Sequence, residues 1–150
     1  MLWETEQRKY CQDFTDDELY TMMTLWSIFR SPLMIGGEMT KFDDFTLSIL
    51  TNEAILGMHK NARHAHEVYR RKRKDSETIL WAAAHAEKTG TYAALFNAGE
   101  EDGIVTLDFA ELELDGMKTV TNLWTGEITC ADGEIAFDIP KHGAVALWIE

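Results

Sequence analysis

The chain is short of the residues that staple, break or anchor a fold. It has two cysteines and two prolines among 150 residues. Cys11 and Cys130 stand near opposite ends, outside any CxxC or Cys/His spacing, so neither a disulfide framework nor a zinc site is indicated and both read as ordinary thiols. The longest uninterrupted apolar runs, residues 79–84 and 144–149, fall far short of the roughly 20 residues that a membrane-spanning helix requires. The opening Met1-Leu2-Trp3-Glu4-Thr5-Glu6 is acidic and lacks the basic and apolar regions of a secretory signal, which predicts a cytoplasmic protein. Positive charge is also scarce. With 14 Lys and Arg against 26 Asp and Glu, the net charge of -12 disfavours nucleic acid, which must be met by a concentrated basic surface.

What is present suffices for a folded core. A hydrophobic fraction of 45% excludes disorder, and the length suits one ordinary domain or a small pair. Charge divides the chain: residues 1–74 hold 11 basic and 11 acidic side chains, residues 75–150 hold 3 and 15. The whole imbalance lies in the second half.

In the first half, Thr15 followed three residues later by Glu18 predicts a capping box, with Phe14 and Leu19 placed for a hydrophobic staple. Leu19, Met22, Met23, Trp26 and Phe29 then recur at helical spacing and predict one apolar stripe. Ser31-Pro32 stops that helix. The run Leu33-Met34-Ile35-Gly36-Gly37 reads as a buried parallel strand, with a helical hairpin joined by an apolar turn as the alternative. Phe45, Leu47, Ile49, Leu50, Ala54, Ile55 and Met58 predict one or two further helices broken near Thr51-Asn52. Arg70-Arg71-Lys72-Arg73-Lys74 reads as a solvated connector, with a phosphate-binding patch or an address signal as the other readings.

From residue 77 the apolar period switches to two. Residues 79–84, 92–96, 104–109, 135–139 and 145–149 predict short strands, separated by turn signals such as Asp115-Gly116, Thr125-Gly126 and Asp132-Gly133. Frequent turns between short strands predict antiparallel sheets packed face to face.

Candidate chemistry is sparse. His64-Ala65-His66 offers two imidazoles but no third or fourth ligand at metal-binding spacing, and His59, His85 and His142 join no motif. No GxSxG elbow occurs, and Gly36-Gly37 and Gly99 do not form a phosphate-cradling loop. Trp81, Trp124 and Trp148 are candidate sugar-stacking platforms, although their alternation with small residues favours core packing. No metal or cofactor is expected, and among the 26 carboxylates sequence spacing alone cannot pick an acid and base pair.

Taken together, the segments from Phe14 to Glu18 and from Met22 to Gly37 resemble the last helix-strand junction of the melibiase-type α-galactosidases, glycoside hydrolase family 27. Thr46-Leu47, Leu50-Thr51-Asn52 and Ala54-Ile55-Leu56 resemble that family's final barrel helix. Leu95-Phe96-Asn97, Leu123-Trp124-Thr125-Gly126 and Pro140-Lys141-His142-Gly143-Ala144-Val145 resemble its sandwich strands. The similarity runs in order over about residues 13–149. It departs at Glu38, where the family usually has Asp, and at His59-Lys60, where it usually has Asn-Gln.

The resemblance implies an α+β chain: a helix-strand-helix fragment of a TIM barrel over residues 1–74, with residues 33–36 as the eighth barrel strand, then an antiparallel β-sandwich over 75–150. It also implies that both catalytic aspartates lie on barrel strands that precede this segment, so no position here is assigned to catalysis and Glu38 at most borders the sugar pocket. The expected function is that of the C-terminal fragment of an α-galactosidase-like enzyme, inactive alone. The alternative is a stand-alone β-sandwich that binds carbohydrate or serves assembly. The expected partners are a second copy or the missing N-terminal barrel half, with carbohydrate as a further candidate, and neither nucleic acid nor membrane.

Overall fold

The computed structural model of the chain describes residues 14–150. Cys11 and the acidic opening lie outside them.

The first helix, α1 (Asp16–Ile28), begins as its sequence dictates. Thr15 accepts a hydrogen bond from the Glu18 amide at 3.2 Å, and the Glu18 carboxylate accepts one from the Thr15 amide at 2.7 Å. Such a cap stabilises a helix by about 1 kcal/mol. The predicted stripe is rotated. The buried face consists of Leu19, Met23, Thr24, Ser27 and Ile28, while Trp26 and Phe29 are 39% and 48% exposed. Apolar residues lie on more than one side of α1, so the choice of inner face falls to shape: the small Thr24 and Ser27 let the helix come close to its neighbours. Phe14 is exposed, whereas Leu19 is buried.

Residues 33–36 do not form the expected barrel strand. They are irregular, and Met34 and Ile35 are exposed. A parallel strand needs hydrogen-bonding neighbours on both sides, and the described residues supply none. A 3-10 turn, Met39–Lys41, leads to α2 (Asp44–Leu50) and α3 (Glu53–Asn61). Asp43 caps α2 through the Thr46 amide at 2.8 Å, and Asn52 caps α3 through the Ile55 amide at 3.0 Å. The predicted break near Thr51-Asn52 is therefore a C-cap followed directly by an N-cap.

Eight strands follow: β1 (Ala62–Arg73), β2 (Ser76–His85), β3 (Thr91–Asn97), β4 (Gly103–Asp108), β5 (Met117–Asn122), β6 (Ile128–Asp132), β7 (Glu134–Ile139) and β8 (Ala144–Ile149). Six form one antiparallel sheet in the order β1-β2-β3-β8-β5-β6, and β4 pairs with β7 in a second. The chain is an α+β fold built on an antiparallel β-sandwich.

The basic run is not a connector. Arg70 to Arg73 belong to β1, which pairs with β2 in register from Ala62 opposite His85 to Arg73 opposite Ser76. Two irregularities, between Arg63 and His66 and between Glu67 and Tyr69, break the alternation that would mark a strand in sequence, and His64 takes a left-handed φ of 55° there. β1 is an edge strand, and charged side chains protect such an edge from pairing with another chain. Arg70 lies 3.1 Å from Glu67 and 2.9 Å from Glu77 on β2; Arg71 pairs with Glu111 and covers the Tyr69 ring at 3.8 Å. The boundary expected at residue 74 thus falls inside a β-hairpin.

The six-stranded sheet is covered on both faces, which explains why β3 is buried from Tyr92 to Asn97. Ile79, Ala83, Tyr92, Ala94, Phe96 and Ala146 pack with Met23, Ile28, Ile55 and Met58 of the helices. Leu80, Ala93, Leu95, Leu147 and Ile149 point the other way, onto Val105 and Leu107 of β4, Ile139 of β7 and Phe109. The helical layer and the sandwich share one sheet.

At Gly90 the backbone is at φ 157°, and a Cβ there would lie 2.2 Å from the Trp148 ring, so only glycine lets the β2–β3 turn pass beneath that indole.

Cutting the chain at residue 75 strips both β1 and the helices from the sheet and bares Ile79, Tyr92, Phe96 and their neighbours. A 75–150 fragment is expected to aggregate or to melt without cooperativity, whereas 14–150 melts in one transition. Calorimetry with sedimentation checks this, and a monomeric 75–150 fragment with a cooperative transition would contradict the shared-sheet account.

Candidate functional site

Among the described residues, two concavities adjoin the β1–β2 hairpin. One, of about 310 Å³, lies between the hairpin's turn and the β3–β4 loop, with Arg73, Asp75, Asn97 and Asp102 on its walls beside Ile104 and Val105. The other, of about 390 Å³, is a largely apolar groove between α1 and the sheet. Met22, Leu25, Ile79 and Trp81 form its floor and sides, and Glu18 and His142 stand on its rim.

The groove exists because α1 covers only part of the sheet face. Its axis runs over β3 and β8, leaving the outer reach of β2 partly open. Phe29 at the end of α1 reaches across to Trp81, with ring centroids 6.1 Å apart. Asn97 is pinned at the groove's end: its side-chain amide donates to the carbonyls of Glu101 and Ile139, and its oxygen accepts from the Gly99 amide. This buried amide is structurally committed, since every such group must find partners.

The three candidate sugar platforms separate in the structure. Trp124 is half-buried between the layers, its N–H donating to Thr24 Oγ1 of α1 at 2.9 Å and its ring meeting Tyr20 edge-on at 4.8 Å. Trp148 packs against Tyr92 and His85. Both serve the core that joins helices to sheet. Trp81 lines the apolar groove.

Glu38 lies in the exposed segment before the 3-10 turn and lines neither concavity. Hydrogen bonds from Lys41 and Thr40, and the charge of Lys41, hold its carboxyl below the usual carboxylate range. It is a solvated carboxylate with local partners, not a buried acid.

The histidines do not converge. His59 Nε2 lies 2.8 Å from the Ser31 carbonyl, fastening the segment after α1 to α3. His85 accepts from the amides of Glu87 and Lys88 in the β2–β3 turn. His66 Nδ1 lies against the His64 carbonyl at the irregular part of β1. Among the described residues no three His, Cys, Asp or Glu side chains are grouped so as to hold a metal ion. Cys130 is exposed on β6.

Sequence reasoning passed over one cluster. His142 sits in the β7–β8 turn with φ 58°, and its two ring nitrogens face Glu18 of α1 and Glu100 of the β3–β4 loop, each at 3.3 Å. Its carbonyl accepts from Thr21 Oγ1 at 2.6 Å. The only linear signal is Pro140-Lys141-His142-Gly143, which marks a turn without naming the helix it meets.

This architecture has known counterparts. Residues 75–149, half of the chain, match the model of the α-galactosidase C-terminal β-sandwich domain. Alpha-galactosidase D of Emericella nidulans is 32% identical over 113 residues, covering 75% of this chain and 17% of that protein. A β-L-arabinopyranosidase of glycoside hydrolase family 27 from Geobacillus stearothermophilus superposes with a TM-score of 0.84 at 37% identity, over 92% of this chain and 31% of the other. The α-galactosidase of Saccharomyces cerevisiae, solved with raffinose, shares the fold with a TM-score of 0.83 at 15% identity.

The chain belongs to the family of α-galactosidase C-terminal β-sandwich domains. Within it, the chain corresponds to the C-terminal part of a glycoside hydrolase family 27 α-galactosidase, and spans about a fifth of the length of the curated relatives it matches.

The Trp124–Thr24 hydrogen bond is a part-buried polar tie between the layers. Replacing Thr24 with Val keeps the shape but leaves the indole N–H without its acceptor, which costs about 1–3 kcal/mol. A chemical denaturation series should show this, with Thr24→Ser recovering most of the loss.

Proposed function

We propose that this chain acts as the bracing C-terminal part of a family 27 glycosidase that hydrolyses terminal α-galactosides, and that the reacting groups come from the rest of the barrel. The carrying observation is the match of residues 75–149 to the α-galactosidase C-terminal β-sandwich domain, together with 32% identity to Alpha-galactosidase D of Emericella nidulans over 75% of this chain.

The chemistry supports that division of labour. A retaining glycosidase needs two carboxyl groups about 5 Å apart, and barrel enzymes take them from the ends of several different strands. Residues 33–36, irregular in this chain, carry no carboxyl group. Glu38, the next acid, is solvated and tied to Lys41.

The helical layer also carries surface that suits a covering partner. Trp26, Phe29, Met34, Ile35, Met39 and Leu47 are each 39–89% exposed. They lie on α1, on the segment after it and on α2. Apolar side chains in that number are suited to a protein interface. We assign the remaining barrel elements as the occupant. In their absence a second copy takes the same place.

The test uses two preparations. The chain alone is expected to leave a chromogenic α-galactoside intact and to self-associate with rising concentration in sedimentation experiments. A chimera in which it replaces the corresponding segment of the Geobacillus enzyme is expected to fold and to keep glycosidase activity. Turnover by the isolated chain that is lost on Glu38→Gln, or a folded chimera without activity, would overturn the proposal.

A further inference from the structure

The two edges of the six-stranded sheet differ in how they meet solvent. β1 carries Arg70 to Arg73 and is broken by two irregularities, and both features discourage a further strand. β6, at the opposite edge, runs Ile128-Thr129-Cys130-Ala131-Asp132 in regular register with β5. It has no lysine, arginine, proline or bulge. Ile128, Thr129, Cys130 and Asp132 are all exposed.

The backbone of β5 determines which groups of β6 point outward. Thr119 exchanges hydrogen bonds with Glu150, at 2.8 and 3.0 Å, so the odd-numbered residues of β5 face β8. Asn122 donates to the Glu127 carbonyl at 2.8 Å, so the even-numbered ones face β6. Thr129 and Ala131, opposite Val120 and Lys118, are therefore bonded to β5. The N–H groups of Ile128, Cys130 and Asp132 point away from it, and among the described residues no strand pairs with that edge. Opposed residues share a face, so the Ile128 and Cys130 side chains stand with Thr121, Thr119 and Met117. Since α1 lies over β3 and β8, this end of the face stays open, with Met117 and Ile128 66% and 65% exposed.

We propose that the β6 edge is a self-association surface, on which a second copy adds its own β6 antiparallel and joins the two six-stranded sheets across a two-fold axis at Cys130. Cys130 is the middle of the five residues of β6, so full overlap sets it opposite Cys130 of the second copy and sets Ile128 opposite Asp132. All of these residues present their N–H groups to the new neighbour, as an antiparallel pair requires. The charges permit it. Asp132, the one charged residue of β6, meets an isoleucine, and Glu127, just before the strand, meets Gly133, so no like charges stand opposed.

Pairing about a two-fold axis closes on itself, so the product is a dimer and not a fibre. A strand pair of this length is a small interface, and the dimer dissociates on dilution. It uses none of the exposed side chains of the helical layer. The β6 surface is therefore independent of whatever covers Trp26 and Phe29.

The test uses the full chain with Cys11→Ser, which leaves Cys130 as its sole thiol. Opposed residues that exchange backbone hydrogen bonds stand about 5.5 Å apart at Cα, within reach of a disulfide. Mild oxidation with diamide should therefore link two copies through Cys130, at a rate normalised to the reaction of that thiol with iodoacetamide. Adding Ile128→Lys with Asp132→Lys sets lysine opposite lysine and should slow the linkage about tenfold. Adding Trp26→Ser with Phe29→Ser alters the helical surface instead and should leave the rate unchanged. In the reduced chain, hydrogen exchange followed by NMR should show the Ile128 and Cys130 amides gaining protection as concentration rises, while those of Thr129 and Ala131, already bonded to β5, change little. That alternating pattern decides the question even if the double-lysine chain fails to fold. Linkage that survives the double-lysine change, linkage lost with the helical pair, or Ile128 and Cys130 amides indifferent to concentration would overturn the β6 dimer.

Discussion

The fold depends on a sheet that is apolar on both faces. In β3, Tyr92, Ala94 and Phe96 point to one side and Ala93 and Leu95 to the other, and all five are buried. Burying a side chain the size of Leu95 or Phe96 contributes about 1.5–3 kcal/mol relative to exposure, so neither face can be left to water. The β4–β7 pair covers one face and the helices cover the other. The sandwich is thus a two-core structure, and its second core is made by residues that look as though they belong to a different domain.

This constraint explains where the polar ties are placed. Trp124 to Thr24 and Thr21 to the His142 carbonyl both run between the helical layer and the strands. Apolar contact is not directional, whereas a hydrogen bond to a fixed acceptor sets the position of α1 along the sheet. Small side chains at Thr24 and Ser27 bring the helix close, and its large residues are displaced outward. The exposed Trp26 and Phe29 are the other side of that choice, and they give the layer a surface fit to meet more protein.

Family membership and structure divide the chain at different places. The family match begins at residue 75, in the turn of the β1–β2 hairpin, so it takes in β2 but not the strand paired to it along its length. Charge composition changes at the same place, because the basic residues that guard the sheet edge all lie on β1. The change in composition coincides with the start of the family match and with the turn of the edge hairpin. The irregularities around His64 and Glu67 hid the strand by breaking its alternation.

Local signals in the sequence were sufficient for local structure. Thr15 with Glu18 determined the start of α1, Asn52 the start of α3, and the period-two runs five of the strands, because caps and pleats depend on neighbours a few residues away. The collinear motifs were also sufficient for the family. Tertiary structure decided the rest: which side of α1 faces inward, that residues 33–36 lie free of any sheet, that Trp124 and Trp148 serve the core, and that His142 stands between Glu18 and Glu100. Those outcomes depend on partners far away in the chain, and no local spacing encodes the distance between a helix cap and a turn that closes the last hairpin.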